Sequence, residues 1–162
     1  DPAESVTYAE DDAALRLALN AAALAVLGRQ WPASAKAPLA FGGFSGGSKY
    51  SGWLAAAFAG QGRTVIGVYL AGCNEDELTP AATSFKVLNA GFRRIPVFLL
   101  SGNKDEISTP ADHENVASHL KQEGFENVRI ESFSGRHEIY TAPMRTALDW
   151  FREVAVLPPN NR

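Results

Sequence analysis

Five residues, Gly43-Phe44-Ser45-Gly46-Gly47, constrain most strongly what this chain can fold into. They read G-x-S-x-G, and they stand where a short apolar run, Pro38-Leu39-Ala40-Phe41, gives way to a helical pattern of small residues. A serine between glycines at a strand-to-helix junction can be held in a sharp elbow with its hydroxyl exposed. Glycine suits the flanks because bulkier neighbours would clash in such a turn. The same five-residue pattern also occurs in loops, where it is a tight turn ending a strand and nothing more. Its meaning therefore depends on what the rest of the chain supplies.

Strand and helix patterns alternate along the whole sequence. A helix is expected from the Ala-rich stretch 13–27, with Leu15, Leu19, Ala22 and Val26 on one face and Gly28 at its end. Thr7 and Glu10 have capping-box spacing before it, and Asp11 and Asp12 suit a helix N-terminus. Strands are expected at 39–44, 64–70, 95–100 and 128–133; the second is apolar throughout, as a strand covered on both faces must be. Helices are expected at 48–58, 80–88, 109–122 (closed by Gly124) and 142–154. Such alternation predicts βαβ units, a mostly parallel sheet and helices on both of its faces, a three-layer α/β sandwich. One domain is expected over 1–155, followed by a frayed tail at 156–162 with its Pro158-Pro159-Asn160-Asn161.

In a sheet of this kind, functional groups gather in the loops at the carboxyl ends of the strands. Three chemically capable residues fall in such loops: Ser45 after the first strand, Asp105 after the third and His137 after the fourth. A serine hydroxyl is a poor nucleophile until a base takes its proton, and histidine has a suitable pKa. The histidine in turn needs a carboxylate to fix its tautomer and stabilise the imidazolium. The three residues therefore make a candidate triad, although singly each is an ordinary turn or loop residue. Glu75 and Asp76 follow the second strand in a similar loop, and Asp76 is the alternative acid. His113 and His119 fall within the helix at 109–122 and are expected on its surface; Ser48 and Ser51 lie beyond the elbow.

Composition narrows the classes. The 162 residues are 46% hydrophobic and 20% charged, with a net charge of −3 and no Lys/Arg run, which argues against nucleic acid as a partner. No uninterrupted apolar stretch is long enough to span a bilayer. The single cysteine, Cys73, excludes an internal disulfide and reads as a small buried hydrophobe. Neither a CxxC nor a histidine pair at ligand spacing is present, so neither metal nor other cofactor is expected. The first residues, Asp1-Pro2, carry no Met and no signal peptide. That fits a soluble product, cytoplasmic or secreted or periplasmic after processing, whose compartment the sequence does not give.

Taken together, these residues resemble the α/β-hydrolase superfamily over nearly the whole chain. Gly43-Phe44-Ser45-Gly46-Gly47 looks like the nucleophile elbow. Ser101-Gly102-Asn103-Lys104-Asp105, with Pro110 following, resembles the acid loop, and Gly135-Arg136-His137 before a helix with Leu148-Asp149-Trp150-Phe151 resembles the histidine end. Ser, Asp, His is also the order the superfamily shows along the chain. The resemblance is suggestive of bacterial esterases and of dienelactone-hydrolase-like and polyhydroxybutyrate-depolymerase-like proteins. It implies a small-molecule ester as substrate and the Gly46 backbone N–H as one oxyanion donor.

The chain departs from the pattern before the elbow. The superfamily has several strands there, and one of their loops supplies a second oxyanion donor. Here a single helix precedes the elbow strand and no such motif stands in the sequence. The chain thus resembles the carboxyl-terminal half of the fold, which implies that the amino-terminal strands are lacking here. A longer protein, a partner covering the open sheet edge (a second copy included) or an adapted half-domain would each account for that. A catalytic ester hydrolase is the leading expectation, and a non-catalytic α/β-hydrolase-like binding or assembly module is the alternative. An unrelated flavodoxin-like domain is disfavoured, since no phosphate-binding pattern follows the first strand.

Overall fold

A computed structural model describes residues 13–155 of the chain. The capping-box residues around Thr7 and Glu10, and the tail 156–162, lie outside the described residues. The chain divides into two compact units, Asp1–Ala37 and Pro38–Arg162.

In the first unit, helix α1 covers Ala13–Gln30, and a 3-10 turn follows at Pro32–Lys36. Gly28 does not end α1 as expected. The helix runs past it, and the absent side chain admits Ala35, whose Cβ would lie 3.1 Å from a Cβ built at Gly28. Bonds from Trp31 N–H to the Leu27 carbonyl and from Ser34 Oγ to the Trp31 carbonyl tie the turn to the helix end.

The second unit carries the sheet. Its elements are β1 (Leu39–Phe44), α2 (Gly46–Gly60), β2 (Val65–Ala71), α3 (Leu78–Ser84), β3 (Val97–Gly102), α4 (Pro110–Gln122), β4 (Val128–Phe133) and α5 (Ala142–Val154), with a 3-10 turn at Phe92–Arg94 before β3. The strands are all parallel, in the spatial order β1-β2-β3-β4. Each strand therefore neighbours the next in sequence, and each connection crosses over through a helix.

The strand pleat sorts the core into two layers. Val68, Leu70, Val97 and Leu99 point to one face, where they meet Ala55 and Ala56 of α2, Ala81 and Ala82 of α3, and Val116, Ala117 and Leu120 of α4. Tyr69, Ala71, Phe98 and Leu100 point to the other, where Ala147 and Phe151 of α5 cover them. This is a three-layer α/β sandwich. β2 and β3 are buried on both faces, which is why they read as unbroken apolar runs. Alanines in α2 let that helix approach the sheet closely. Gly67 does the same for α5, because a Cβ there would overlap the Phe151 ring.

Helix α4 starts as Thr109-Pro110 predicts. Thr109 Oγ1 accepts from Asp112 N–H, Asp112 Oδ2 accepts from Thr109 N–H at 2.8 Å, and Gly124 closes the end at φ +90°. Helix α3 starts two residues earlier than expected, because Asp76 caps it: its Oδ1 accepts from the N–H groups of Leu78 and Thr79. Among the described residues, β1 pairs only with β2, and no helix is long and apolar enough to cross a membrane.

Candidate active site

Ser45 sits between the end of β1 and the first residue of α2, in a backbone conformation (φ 56°, ψ −125°) that non-glycine residues rarely adopt. Its N–H donates to the Ala71 carbonyl at 2.8 Å, which fixes the turn to the neighbouring strand. The two motif glycines differ in what they do. A Cβ on Gly43 would collide with the Gly47 carbonyl, whereas one on Gly47 would meet open space. Gly43 is therefore what lets the chain double back. Gly43→Ala is expected to cost about 1–3 kcal/mol, the usual penalty for overpacking. Gly47→Ala is expected to be neutral or slightly stabilising. Urea or thermal unfolding of both variants checks the contrast.

His137 follows β4, at the far side of the sheet from Ser45, so its loop must cross the ends of β3 and β2 to reach the elbow. Two glycines make the crossing possible. A Cβ on Gly102, at the end of β3, would press on the carbonyls of Gly135 and Arg136. One on Gly72, just past β2, would lie 3.0 Å from His137 Cε1 and 2.8 Å from the Phe44 ring. Lys104 N–H to the Gly135 carbonyl (2.9 Å) and Asn103 N–H to the Phe133 carbonyl (2.9 Å) lace the loop to the one after β3. The His137 ring packs on Phe44, with ring centres 4.6 Å apart.

The structure brings Ser45, His137 and Asp105 together. His137 Nε2 is 3.0 Å from Ser45 Oγ, and His137 Nδ1 is 2.8 Å from Asp105 Oδ2. An ionised carboxylate only accepts, so the neutral ring carries its proton on Nδ1 and leaves Nε2 to accept from the serine. The Asp105 carboxylate is buried, and its Oδ1 accepts from the N–H groups of Ile107 and Ser108, both at 2.8 Å. Burial alone would push this carboxyl up. The Ser108 N–H, the His137 ring and the Ile107 N–H outweigh it and hold the group below its ordinary value. Gly46 opens α2, so its N–H has no acceptor within the helix and is available beside Ser45.

The competing acids are engaged elsewhere. Asp76, the alternative acid, is not brought to His137: it caps α3, accepts from Thr79 Oγ1 and faces His119 Nδ1 at 2.7 Å. Glu75 pairs with Lys49 at 2.7 Å. The reason is topological. β4 neighbours β3, so the loop after β3 lies next to the histidine loop and the loop after β2 lies one strand further away.

His119 is exposed as expected, but His113 is not on the surface: it is wholly buried, and its Nε2 accepts from Cys73 N–H at 3.1 Å. Helical spacing carried the signal, since His113, Val116, Ala117 and Leu120 form one face at i, i+3, i+4 and i+7. Cys73 is buried too; burial pushes its thiol pKa up, against the lowering effect of its contact with the Glu75 carbonyl and of Ser48 and Lys49. Gly72, Phe44 and Ser108, whose Oγ donates to the Gly72 carbonyl at 2.8 Å, complete the setting of the histidine. Their part shows only once β2 and the acid loop stand side by side.

An apolar cavity of about 190 Å³ opens next to Phe44, between the end of the sheet and the start of α5. Gly42, Tyr69, Ala71, Tyr140 and Met144 line it.

No protein-family model matches the sequence, and no curated protein is significantly similar to it. Among solved structures, the acyl-protein thioesterase 2 of Zea mays is similar over 85% of this chain, with a TM-score of 0.56 and 22% sequence identity. The chain covers 64% of that protein's length, just under two thirds. A likeness at this identity concerns the fold. With the parallel sheet and the elbow after β1, it shows that the chain has an α/β-hydrolase-like fold.

Proposed function

We propose that this chain is a serine hydrolase that cleaves a carboxylic ester through an acyl-enzyme on Ser45. The observation that carries this reading is the continuous line from Ser45 Oγ through His137 to Asp105, at 3.0 and 2.8 Å. Ser45 Oγ attacks the ester carbonyl while His137 Nε2 takes its proton. The oxyanion forms beside the Gly46 N–H. The tetrahedral intermediate collapses, His137 returns the proton to the leaving alcohol, and the acyl group stays on Ser45. Water, deprotonated by His137, then releases the acid. Asp105 holds the Nδ1 tautomer and stabilises the imidazolium. The apolar cavity beside Phe44 suits a hydrocarbon part of the substrate. No cofactor takes part in this scheme. Rapid mixing with p-nitrophenyl acetate tests it: a burst of nitrophenol stoichiometric with protein supports an acyl-enzyme, and release no faster than in buffer overturns it. Because the structural neighbour is named as a thioesterase, an acyl thioester belongs in the same assay.

A second reading is a non-catalytic binding or assembly module with the same fold. It is favoured by the elbow side of the site, where Gly46 supplies one oxyanion donor and the sequence offers no motif for another. Losing one such donor costs roughly 10²–10³ in rate, so turnover well below that of a complete hydrolase is expected. β1 has an unpaired edge among the described residues, and an open strand edge favours pairing with another chain. The isolated 162-residue chain is therefore expected to self-associate. Light scattering beside the esterase assay decides: a strict monomer with ordinary esterase turnover would overturn this second reading.

A further inference from the structure

His113 is wholly buried, and the proposed chemistry does not use it. A buried imidazole is costly unless it is bonded. Among the described residues this one makes a single side-chain bond, accepting Cys73 N–H at Nε2 (3.1 Å). The acceptor role fixes its state. The ring proton must sit on Nδ1, which has no hydrogen-bond partner among the described residues. A cationic ring would set one N–H against another. Burial lowers its pKa in the same direction, and the His137 charge adds to this, while Asp105 and Asp112 pull the other way.

The bond ends at a sensitive place. Cys73 follows Gly72, whose φ of +56° favours glycine. Three groups from three elements hold this corner: Gly72 N–H donates to the Leu100 carbonyl of β3 (3.0 Å), the Gly72 carbonyl accepts from Ser108 Oγ of the acid loop (2.8 Å), and Cys73 N–H reaches His113 of α4. The outer side of the corner faces the His137 ring and Phe44 so closely that a Cβ on Gly72 would lie 3.0 Å from His137 Cε1. The corner is thus the wall on which the His137 ring rests.

We propose that His113 is a positioning residue for His137: by accepting Cys73 N–H from within the core it fixes the Gly72 corner, and through it the angle at which His137 meets Ser45. The proposal rests on the reading of Ser45 as nucleophile. Leucine at 113 keeps a hydrocarbon of similar bulk but leaves the Cys73 N–H buried without an acceptor, so the corner must shift to find one. A small displacement of a catalytic ring is felt strongly in rate. Glutamine extends an acceptor to the Nε2 position and keeps the bond.

The test compares wild type, His113→Leu and His113→Gln by the rate of fluorophosphonate labelling at Ser45. Circular dichroism and melting confirm the fold of each, and the His137 Nδ1–H proton signal is followed on ¹⁵N-histidine-labelled protein. We expect labelling to slow more than about tenfold in the Leu variant, as a misplaced catalytic group does. It should stay within about threefold of wild type in the Gln variant, whose hydrogen bond is preserved. The His137 signal should shift or broaden in the Leu variant only. A folded Leu variant with wild-type labelling and an unmoved signal overturns the proposal. So does a folded Gln variant as impaired as Leu. If the Leu variant does not fold, His113→Asn, too short to reach Cys73 N–H, replaces it. If wild type itself takes no label, the nucleophile reading fails, and the His137 signal alone decides for or against His113.

Discussion

Ser45→Ala is expected to remove ester turnover by on the order of 10⁶ where the full triad operates, leaving only what binding and the Gly46 N–H supply. The loss should fall in kcat, with KM little changed, because the hydroxyl forms its bond only along the reaction path. Folding should not suffer. Ser45 is the residue held at φ 56°, and among the described residues its side chain is hydrogen-bonded to His137. Alanine would carry the same backbone strain, so the melting temperature is expected to stay near wild type. An Ala variant that retained turnover would move the nucleophile elsewhere; Ser48, the nearest hydroxyl in sequence, is buried and donates to the Ser45 carbonyl.

Asp105→Asn is expected to cost about 10⁴ in kcat. The amide that replaces Oδ2 can present an N–H to His137 Nδ1. The ring then carries its proton on Nε2, facing Ser45, and can no longer accept from it. Asp76→Asn is the control. It should leave kcat near wild type, and it should loosen α3, whose first two N–H groups the carboxylate caps, by roughly 0.5–2 kcal/mol. The two aspartates thus give opposite signatures, one in turnover and one in stability. Turnover assays and urea unfolding on the same preparations separate them.

Much of this was legible in the sequence because strands buried on two faces leave unbroken apolar runs. The bounds of β1, β4 and α5 agree with the pattern; the acid loop is marked by the unbroken apolar run of β3, the elbow by the short apolar start of β1, and the histidine loop by the alternating residues of β4. Asp105 is preferred to Asp76 on its resemblance to an acid loop, and the physical reason for that choice lies in the sheet order. Both follow a strand, and only the spatial order β1-β2-β3-β4 puts the loop after β3 beside His137. The early start of α3 escaped notice because its signal is a single capping carboxylate, with no apolar period behind it. The 3-10 turns at Pro32–Lys36 and Phe92–Arg94 are held by local backbone bonds that leave no periodic trace. Gly28 illustrates the opposite error: a glycine that reads as a helix stop is a contact point, admitting Ala35. Gly72 and Gly102 are the same kind of residue at the site. Each is needed because another part of the chain passes where its side chain would be.

The central claim is that Ser45 is activated by His137, and mapping the covalent adduct of a fluorophosphonate probe tests it most directly. The account predicts a single adduct on the peptide containing Phe44-Ser45-Gly46, absent in Ser45→Ala and strongly slowed in Asp105→Asn. An adduct on any other residue, or labelling of the Ser45→Ala chain at the wild-type rate, would contradict it.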